Sequence, residues 1–404
     1  MVGFRKLALL NAAAAGLVSA RPPFHENDRP SHSFGRYIVT LKAGLEPSAV
    51  KQHIQWATSL HARNNSPMVE VGRRWNIGSW NAYSCTADGD TIAQLHDDKA
   101  VDLVEDDSRV TLTKHLRQDH ASWGLGAISH REMDHTDYVY DSRAGDGTYA
   151  YVLDTGLLTT HQEFEDRACL GYNVVGGEFV DDIGHGTHVA GTIGGKTYGV
   201  ARKAKLISVK IFAGGQSKIS DLLDGFHWAV RNITAANRHE ASVINISAAG
   251  WAVEAVNRAV EEAYKQGILT VVAASNSDSD AKHFSPASAP NAITVGAIGR
   301  DYSRSNFSNW GTLVDIFAPG EGIPSAWIAN DRDARILSGT SMATPHISGL
   351  LLYLKSVIPH RMGTPAESIG KLGELATEGV ISNVRGSKNL LGFNGNGVAI
   401  LAHG

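Results

Sequence analysis

The stretch Tyr149-Ala150-Tyr151-Val152-Leu153-Asp154-Thr155-Gly156 decides the fold. Its first five residues are apolar without interruption, as in a strand buried on both faces, and the run ends in a carboxylate beside a glycine turn. Short apolar, β-branched runs of the same kind recur at 205–211, 243–246, 269–274 and 292–295, with helical stretches at 185–194, 221–232 and 252–266 between them. Such strand–helix alternation predicts an α/β domain built on a mainly parallel sheet. In open sheets of this type, functional groups gather at the carboxyl ends of the strands, where Asp154 falls. Taken alone, Asp154 fits a turn residue or a helix cap equally well.

Upstream the texture changes. Residues 37–41 read as a strand and 47–63 as an amphipathic helix. Strands at 69–75 and 80–86 flank an Ile77-Gly78-Ser79 turn, and a helix at 90–98 is capped by Asp88 or Asp90. Strands at 101–105 and 110–113 complete a β-α-β-β-α-β order, the split βαβ arrangement of a small α+β, ferredoxin-like unit. Residues 21–35, rich in proline, histidine and charge, read as a flexible lead-in. Before them, Arg5 and Lys6 precede an apolar run over 7–18 that closes on Val18-Ser19-Ala20, the pattern of a secretory signal peptide over 1–20. That run is shorter than the ~20 residues a membrane span requires.

The 404 residues are 43% hydrophobic and 19% charged, which is globular composition, with a formal net charge of −4. That balance gives no electrostatic case for nucleic acid or an anionic membrane as partner. The 42 glycines follow no G-X-Y period and imply tight turns. Only two cysteines occur, Cys85 and Cys169, on opposite sides of the boundary near residue 115, so no disulfide is expected in a mature enzyme.

Two further segments carry chemistry. In Gly184-His185-Gly186-Thr187-His188-Val189-Ala190-Gly191-Thr192, glycines on both sides of His185 let the backbone pack closely and set the imidazole at a helix start. No H-E-x-x-H glutamate accompanies the two histidines, and His188, a turn further on, suits a packed structural role. In Leu337-Ser338-Gly339-Thr340-Ser341-Met342-Ala343-Thr344-Pro345-His346, an apolar helix follows Ser341. That serine is either a plain N-cap or a nucleophile beside unpaired N–H groups and a helix dipole suited to an oxyanion.

The three segments run in the order Asp, His, Ser, which is the order of subtilisin. On these blocks, residues 116–400 resemble the subtilisin-like serine proteases, and among them the fungal proteinase K group. Residues 36–113 resemble that family's inhibitory, folding-assisting prodomain. The resemblance implies a secreted endopeptidase made as an autoprocessed zymogen: signal peptide 1–20, propeptide 21–115, and peptidase domain 116–404. It implies that Ser341 attacks the scissile carbonyl, His185 relays the proton and Asp154 orients the imidazole. Val271-Val272-Ala273-Ala274-Ser275-Asn276 aligns with the family segment that ends in the oxyanion-hole asparagine, here Asn276.

Two segments depart from the family. Its substrate-binding Ser-Leu-Gly-Gly is Ser247-Ala248-Ala249-Gly250 here, and the glycine before the asparagine is Ser275. With Ala274, these residues are expected to wall the cleft, and the Ala249 methyl and Ser275 hydroxyl to narrow the first specificity pocket. They are also the features that favour an alternative, a catalytically silent peptide-binding protein; a vacuolar processing protease is the other alternative. The resemblance implies no organic cofactor. It points to a structural Ca²⁺ on the carbonyls of Pro290 and Ala292 and on Asp315, which by itself also fits a turn cap. Expected partners are protein or peptide substrates and the chain's own cleaved prodomain as inhibitor, with a monomeric enzyme. Asn64, Asn232, Asn245 and Asn306 head N-x-S/T triplets. Asn245 falls in a buried strand, and Asn232, at a helix end, is expected to be the better acceptor. Cys169 is read as a buried packing residue, with a reactive thiol near the cleft as the other reading.

Overall fold

The computed structural model describes residues 35–64, 70–107 and 115–397. They fall into two compact units, one holding the described residues up to 107 and the other those from 115 onward. The signal-like segment, most of the lead-in and the strand expected at 110–113 lie outside the described residues.

The first unit runs β1 (Gly35–Leu41), α1 (Pro47–Asn64), β2 (Glu70–Ile77), β3 (Trp80–Ala87), α2 (Gly89–His96) and β4 (Val101–Asp106). Its strands form an antiparallel sheet in the order β2-β3-β1-β4, the ferredoxin-like arrangement that the element order predicts. Alternating Val39 and Leu41 on β1, and Tyr83, Cys85 and Ala87 on β3, bury one face against Ile54, Ala57 and Leu60 of α1 and Leu95 of α2. The Asp88 carboxylate accepts the Thr91 N–H at 2.8 Å, so Asp88 is the cap of α2. That helix stops short of 98 because Asp98 turns back to bond His53 at 3.0 Å and the Ala100 N–H at 2.9 Å.

The second unit opens with β5 (His115–Gln118), α3 (Trp123–Ser129), β6 (Tyr138–Asp141), β7 (Tyr149–Asp154), β8 (Ala168–Asn173), α4 (His185–Gly194) and β9 (Lys205–Lys210). It continues through α5 (Ile219–Ala235), β10 (Ser242–Ile246), β11 (Gly250–Trp251), α6 (Glu254–Lys265), β12 (Leu269–Ala273), β13 (Phe284–Ser285) and β14 (Ile293–Ile298). The last elements are β15 (Ile316–Pro319), β16 (Ile323–Ala326), β17 (Ala334–Leu337), α7 (Thr340–Val357), α8 (Pro365–Leu375), β18 (Thr377–Glu378) and β19 (Leu390–Leu391).

Nine strands form one sheet in the order β18-β19-β15-β14-β12-β10-β7-β9-β8. Every pairing is parallel except β18 with β19. Alternation along β7 splits the core. Ala150 and Val152 pack with Val189 and Ile193 of α4 and Ile347, Leu350 and Leu354 of α7, whereas Tyr151 and Leu153 face Phe226 and Ile233 of α5 and Val260 of α6. Both faces of the sheet are thereby covered by helices, which explains the uninterrupted apolar runs. The buried helices α4 and α7 bring their N-termini to the end of the sheet where β7, β10 and β12 finish. Among the described residues, no helix is long and apolar enough to cross a membrane.

Candidate active site

Asp154 is the last residue of β7 and His185 the first of α4. The buried carboxylate Oδ1 of Asp154 meets His185 Nδ1 at 2.7 Å and also accepts the Thr155 N–H at 2.8 Å. Glycines permit this approach. A Cβ on Gly186 would lie 2.1 Å from the Gly156 carbonyl oxygen, and Gly184 holds φ +93° with its α-hydrogens against the Trp327 ring. Burial pulls the His185 pKa down, but the charge and hydrogen bond of Asp154, helped by the more distant Asp181, outweigh it and leave it above the ordinary histidine value.

Asp181, a residue the sequence motifs did not single out, ties this corner together. Its Oδ1 accepts Thr155 Oγ1 at 2.7 Å and the Gly184 N–H at 2.8 Å, and its Oδ2 accepts the Thr187 N–H at 2.9 Å and Thr187 Oγ1 at 2.6 Å. An acidic pair before Gly184 was the available signal. His188 is structural, as its position suggests. Fully buried, it sends Nε2 to the carbonyls of Ile323 and Arg335, both at 3.0 Å, and burial pushes its pKa down to about 4.

Ser341 is the second residue of α7, whose N-cap is Gly339, so Ser341 is not the cap. Its backbone N–H belongs to the first turn, where no intrahelical acceptor exists. Pro345 sits four residues on and lacks the N–H that would otherwise reach the Ser341 carbonyl. Ser247 takes that role, donating its Oγ to the Ser341 carbonyl at 3.1 Å, while Ser341 Oγ donates to the Ser247 carbonyl at 2.9 Å. Asn276 stands opposite. Its Oδ1 accepts both the N–H and the Oγ1 of buried Thr340, at 2.8 and 2.9 Å, which turns Nδ2 the other way. A Cβ on Gly339 would lie 3.6 Å from Asn276 Nδ2 and 3.7 Å from Ser341 N, so both donors border the backbone at Gly339. Thr340 was invisible as a positioning group in the sequence, because only the fold sets it against Asn276.

Among the expected cleft residues, Ser247 follows β10, and Ala274, Ser275 and Asn276 follow β12. Ala248 packs partly into the core and Ala249 and Gly250 are exposed. Ser275 holds φ +84°, the left-handed backbone that favours glycine. It is kept there by Asn309, which donates its N–H to the Ser275 carbonyl at 3.0 Å and accepts the N–H groups of Ser277 and Ser279 at its Oδ1. Exposed Trp251, stacked on Phe284 at 5.3 Å, stands next to Gly250.

Of the suggested calcium ligands, Asp315 has both carboxylate oxygens engaged by the protein. Asp315 Oδ1 is occupied by the Lys388 ammonium at 2.8 Å and Oδ2 accepts the Thr294 N–H at 3.0 Å, so a built-in cation already neutralises the carboxylate. Cys169 is exposed on the edge strand β8, near the amino-terminal end, and is neither a core residue nor a neighbour of Asp154; both cysteines are free. Asn245 is fully buried, bonding Ser247 Oγ and Ser348 Oγ. Asn232 is half-buried within α5 and accepts the Tyr151 hydroxyl at 2.7 Å, whereas Asn306 is exposed in a turn and is the more accessible of the two. The Asn64 side chain lies outside the described ones.

Comparison with known proteins fixes the class. Residues 145–394 match the Subtilase family and residues 36–113 match Peptidase inhibitor I9. The chain belongs to the subtilase family, and it is a serine protease carrying its own inhibitor-type prodomain. It is 46% identical over 404 residues to Alkaline protease 1 of Aspergillus flavus, covering 98% of this chain and all of the relative. It is likewise 46% identical over 406 residues to Subtilisin-like proteinase Mp1 of Magnaporthiopsis poae, covering 98% and 99%. Among solved structures, a cold adapted subtilisin-like serine proteinase matches at 39% identity and TM-score 0.63, over 68% of this chain and 99% of that one.

Proposed function

We propose that Asp154, His185 and Ser341 act as the catalytic triad of a secreted, self-processing endopeptidase. The observation that carries this reading is the Asp154–His185 pair at 2.7 Å, with Ser341 N and Asn276 Nδ2 both bordering Gly339 at the start of α7. In the reaction, Ser341 Oγ leaves the Ser247 carbonyl for His185 Nε2, a bond that commonly tightens only when substrate binds. Oγ then attacks the scissile carbonyl carbon as His185 takes its proton. The oxygen that becomes negative is held by Asn276 Nδ2 and Ser341 N, at the positive end of α7. His185 returns the proton to the leaving amine, and water cleaves the acyl-enzyme by the same route.

Ser247, Ala248, Ala249, Gly250, Ala274 and Ser275 form the substrate-binding wall. The extended edge at Ala249 and Gly250 suits strand-like pairing with a peptide backbone, so substrates are proteins and peptides. Residues 1–20 direct export. Cleavage falls near His115, freeing a monomeric enzyme from about Leu116, and the released prodomain remains as an inhibitor. Asn306 is the accessible N-glycosylation acceptor. A fluorophosphonate probe, which phosphonylates an activated serine, tests the assignment. It is expected to label Ser341 in the wild type and to leave His185→Ala unlabelled; equal labelling of both contradicts it.

A further inference from the structure

Outside the cleft, three chemistry-bearing side chains meet within eight residues of chain. His130 follows α3, His135 lies in the next loop, and Asp137 precedes β6. One ligand-type atom from each lies within 4.8 Å of the others. The approach has a local cause: a Cβ on Gly126 would lie 1.9 Å from the His135 carbonyl oxygen, so only glycine lets the loop lie on α3. His135 then stacks on His130, with centroids 3.8 Å apart and planes 2° apart.

Hydrogen bonding fixes the His130 tautomer. Its Nδ1 lies 3.2 Å from the Gly126 carbonyl and 3.1 Å from Ser129 Oγ. The Ser129 hydroxyl is itself donated to the Leu125 carbonyl at 3.0 Å, so both neighbours of Nδ1 are acceptors and Nδ1 carries the proton. A neutral His130 therefore directs its Nε2 lone pair at Asp137 Oδ2, 3.4 Å away, and His135 Nδ1 faces Asp137 Oδ1 at 3.2 Å. Two acceptors facing each other require a cation between them, either a proton or a metal ion. Each imidazole thus lies against its own oxygen of one carboxylate, at separations near the ~3.3 Å between neighbouring ligand atoms around an ion with bonds of about 2.0–2.1 Å. An imidazole whose other N–H is held by a backbone carbonyl is the usual orientation of a metal-bound histidine. Arg117 Nε lies 3.3 Å from Asp137 Oδ2 and 2.9 Å from Asp119 Oδ1, so its charge is shared between two carboxylates.

We propose that His130 Nε2, His135 Nδ1 and Asp137 form a binding site for zinc or a similar first-row divalent ion, with water in the fourth position. The partly exposed His135 ring tilts out of the stack to bring its lone pair onto the ion. The ion then clamps the end of α3 to β6, the strand that pairs with β5. Mixed imidazole and carboxylate donors suit zinc rather than calcium or magnesium.

The test is calorimetric titration of the chelator-treated mature enzyme with Zn²⁺, alongside His135→Ser and His130→Gln, with Co²⁺ absorption as a spectroscopic readout. The wild type is expected to bind one ion saturably at this site and to give the d–d bands of a four-coordinate Co²⁺ complex. Each variant is expected to bind at least about tenfold more weakly and to lose those bands. No saturable binding by the wild type overturns the proposal and leaves a proton between His130 and Asp137. Binding unchanged in both variants also overturns it and assigns the ion to other histidines. His135 is partly exposed, so its variant reports on binding rather than folding.

Discussion

Ser275→Gly is the substitution for which the structure gives the clearest magnitude. Ser275 holds φ +84° immediately before Asn276, pinned by the buried Asn309. An L-residue in this region costs roughly 1–2 kcal/mol. Glycine removes that cost but returns about 0.4–1 kcal/mol through its freer unfolded chain. The net expectation is about 1 kcal/mol of added stability, a rise in Tm of about 2 °C for a domain of this size. The assay is scanning calorimetry in a Ser341→Ala background, which prevents self-digestion, with Ser275→Ala as the control. Alanine keeps the Cβ and therefore the strain, so only glycine is expected to raise Tm. A Tm unchanged or lowered in Ser275→Gly refutes the strain argument. With Ser341 intact, the same variant opens the first specificity pocket, and kcat/KM for a peptide with Phe at that position is expected to rise relative to one with Ala. Wild-type enzyme that cleaves after Phe and Ala equally well would remove the basis for a narrowed pocket.

Three further outcomes follow from the site. Because Asp154 holds the His185 pKa above its ordinary value, and activity requires the neutral imidazole, the acid limb of kcat/KM is expected above pH 6.5. Asp154→Asn should lower that limb and reduce kcat roughly 10⁴-fold, and a limb unmoved by the substitution would show that another group governs it. Asn276→Ala should lower kcat about 10²–10³-fold with KM little changed, the loss found for the corresponding subtilisin asparagine; a loss confined to KM would place Asn276 in ground-state binding. Because the Lys388 ammonium already neutralises Asp315, adding Ca²⁺ to the chelator-treated enzyme should leave the melting curve unchanged. A rise in Tm with Ca²⁺ that disappears in Asp315→Asn would place calcium on that carboxylate.

What could be read from the chain divides along a physical line. Buried parallel strands are apolar without a break, so β7, β9, β10 and β12 were legible to within a residue or two, and α4 at both ends. Short or exposed strands such as β8, β16 and β17 carry no such run and were missed. At the site, Asp154, His185 and Ser341 stood out because each sits in a glycine-rich or strand-ending motif. Asp181 and Thr340 did not, because their roles are hydrogen bonds that exist only once distant segments meet. The Lys388–Asp315 contact joins residues 73 positions apart. No local pattern shows that an ammonium reaches this carboxylate. Cys169 was misread because free cysteines are usually buried, whereas here the residue lies exposed on β8 at the sheet edge.

The most direct test of the central claim is expression of the full chain beside Ser341→Ala, with intact mass and N-terminal sequence determined for both. The account predicts that the wild type loses the residues up to about 115 and begins near Leu116, while Ser341→Ala keeps its prodomain attached. If the two proteins are processed alike, or both stay joined, Ser341 is not the nucleophile that matures this chain.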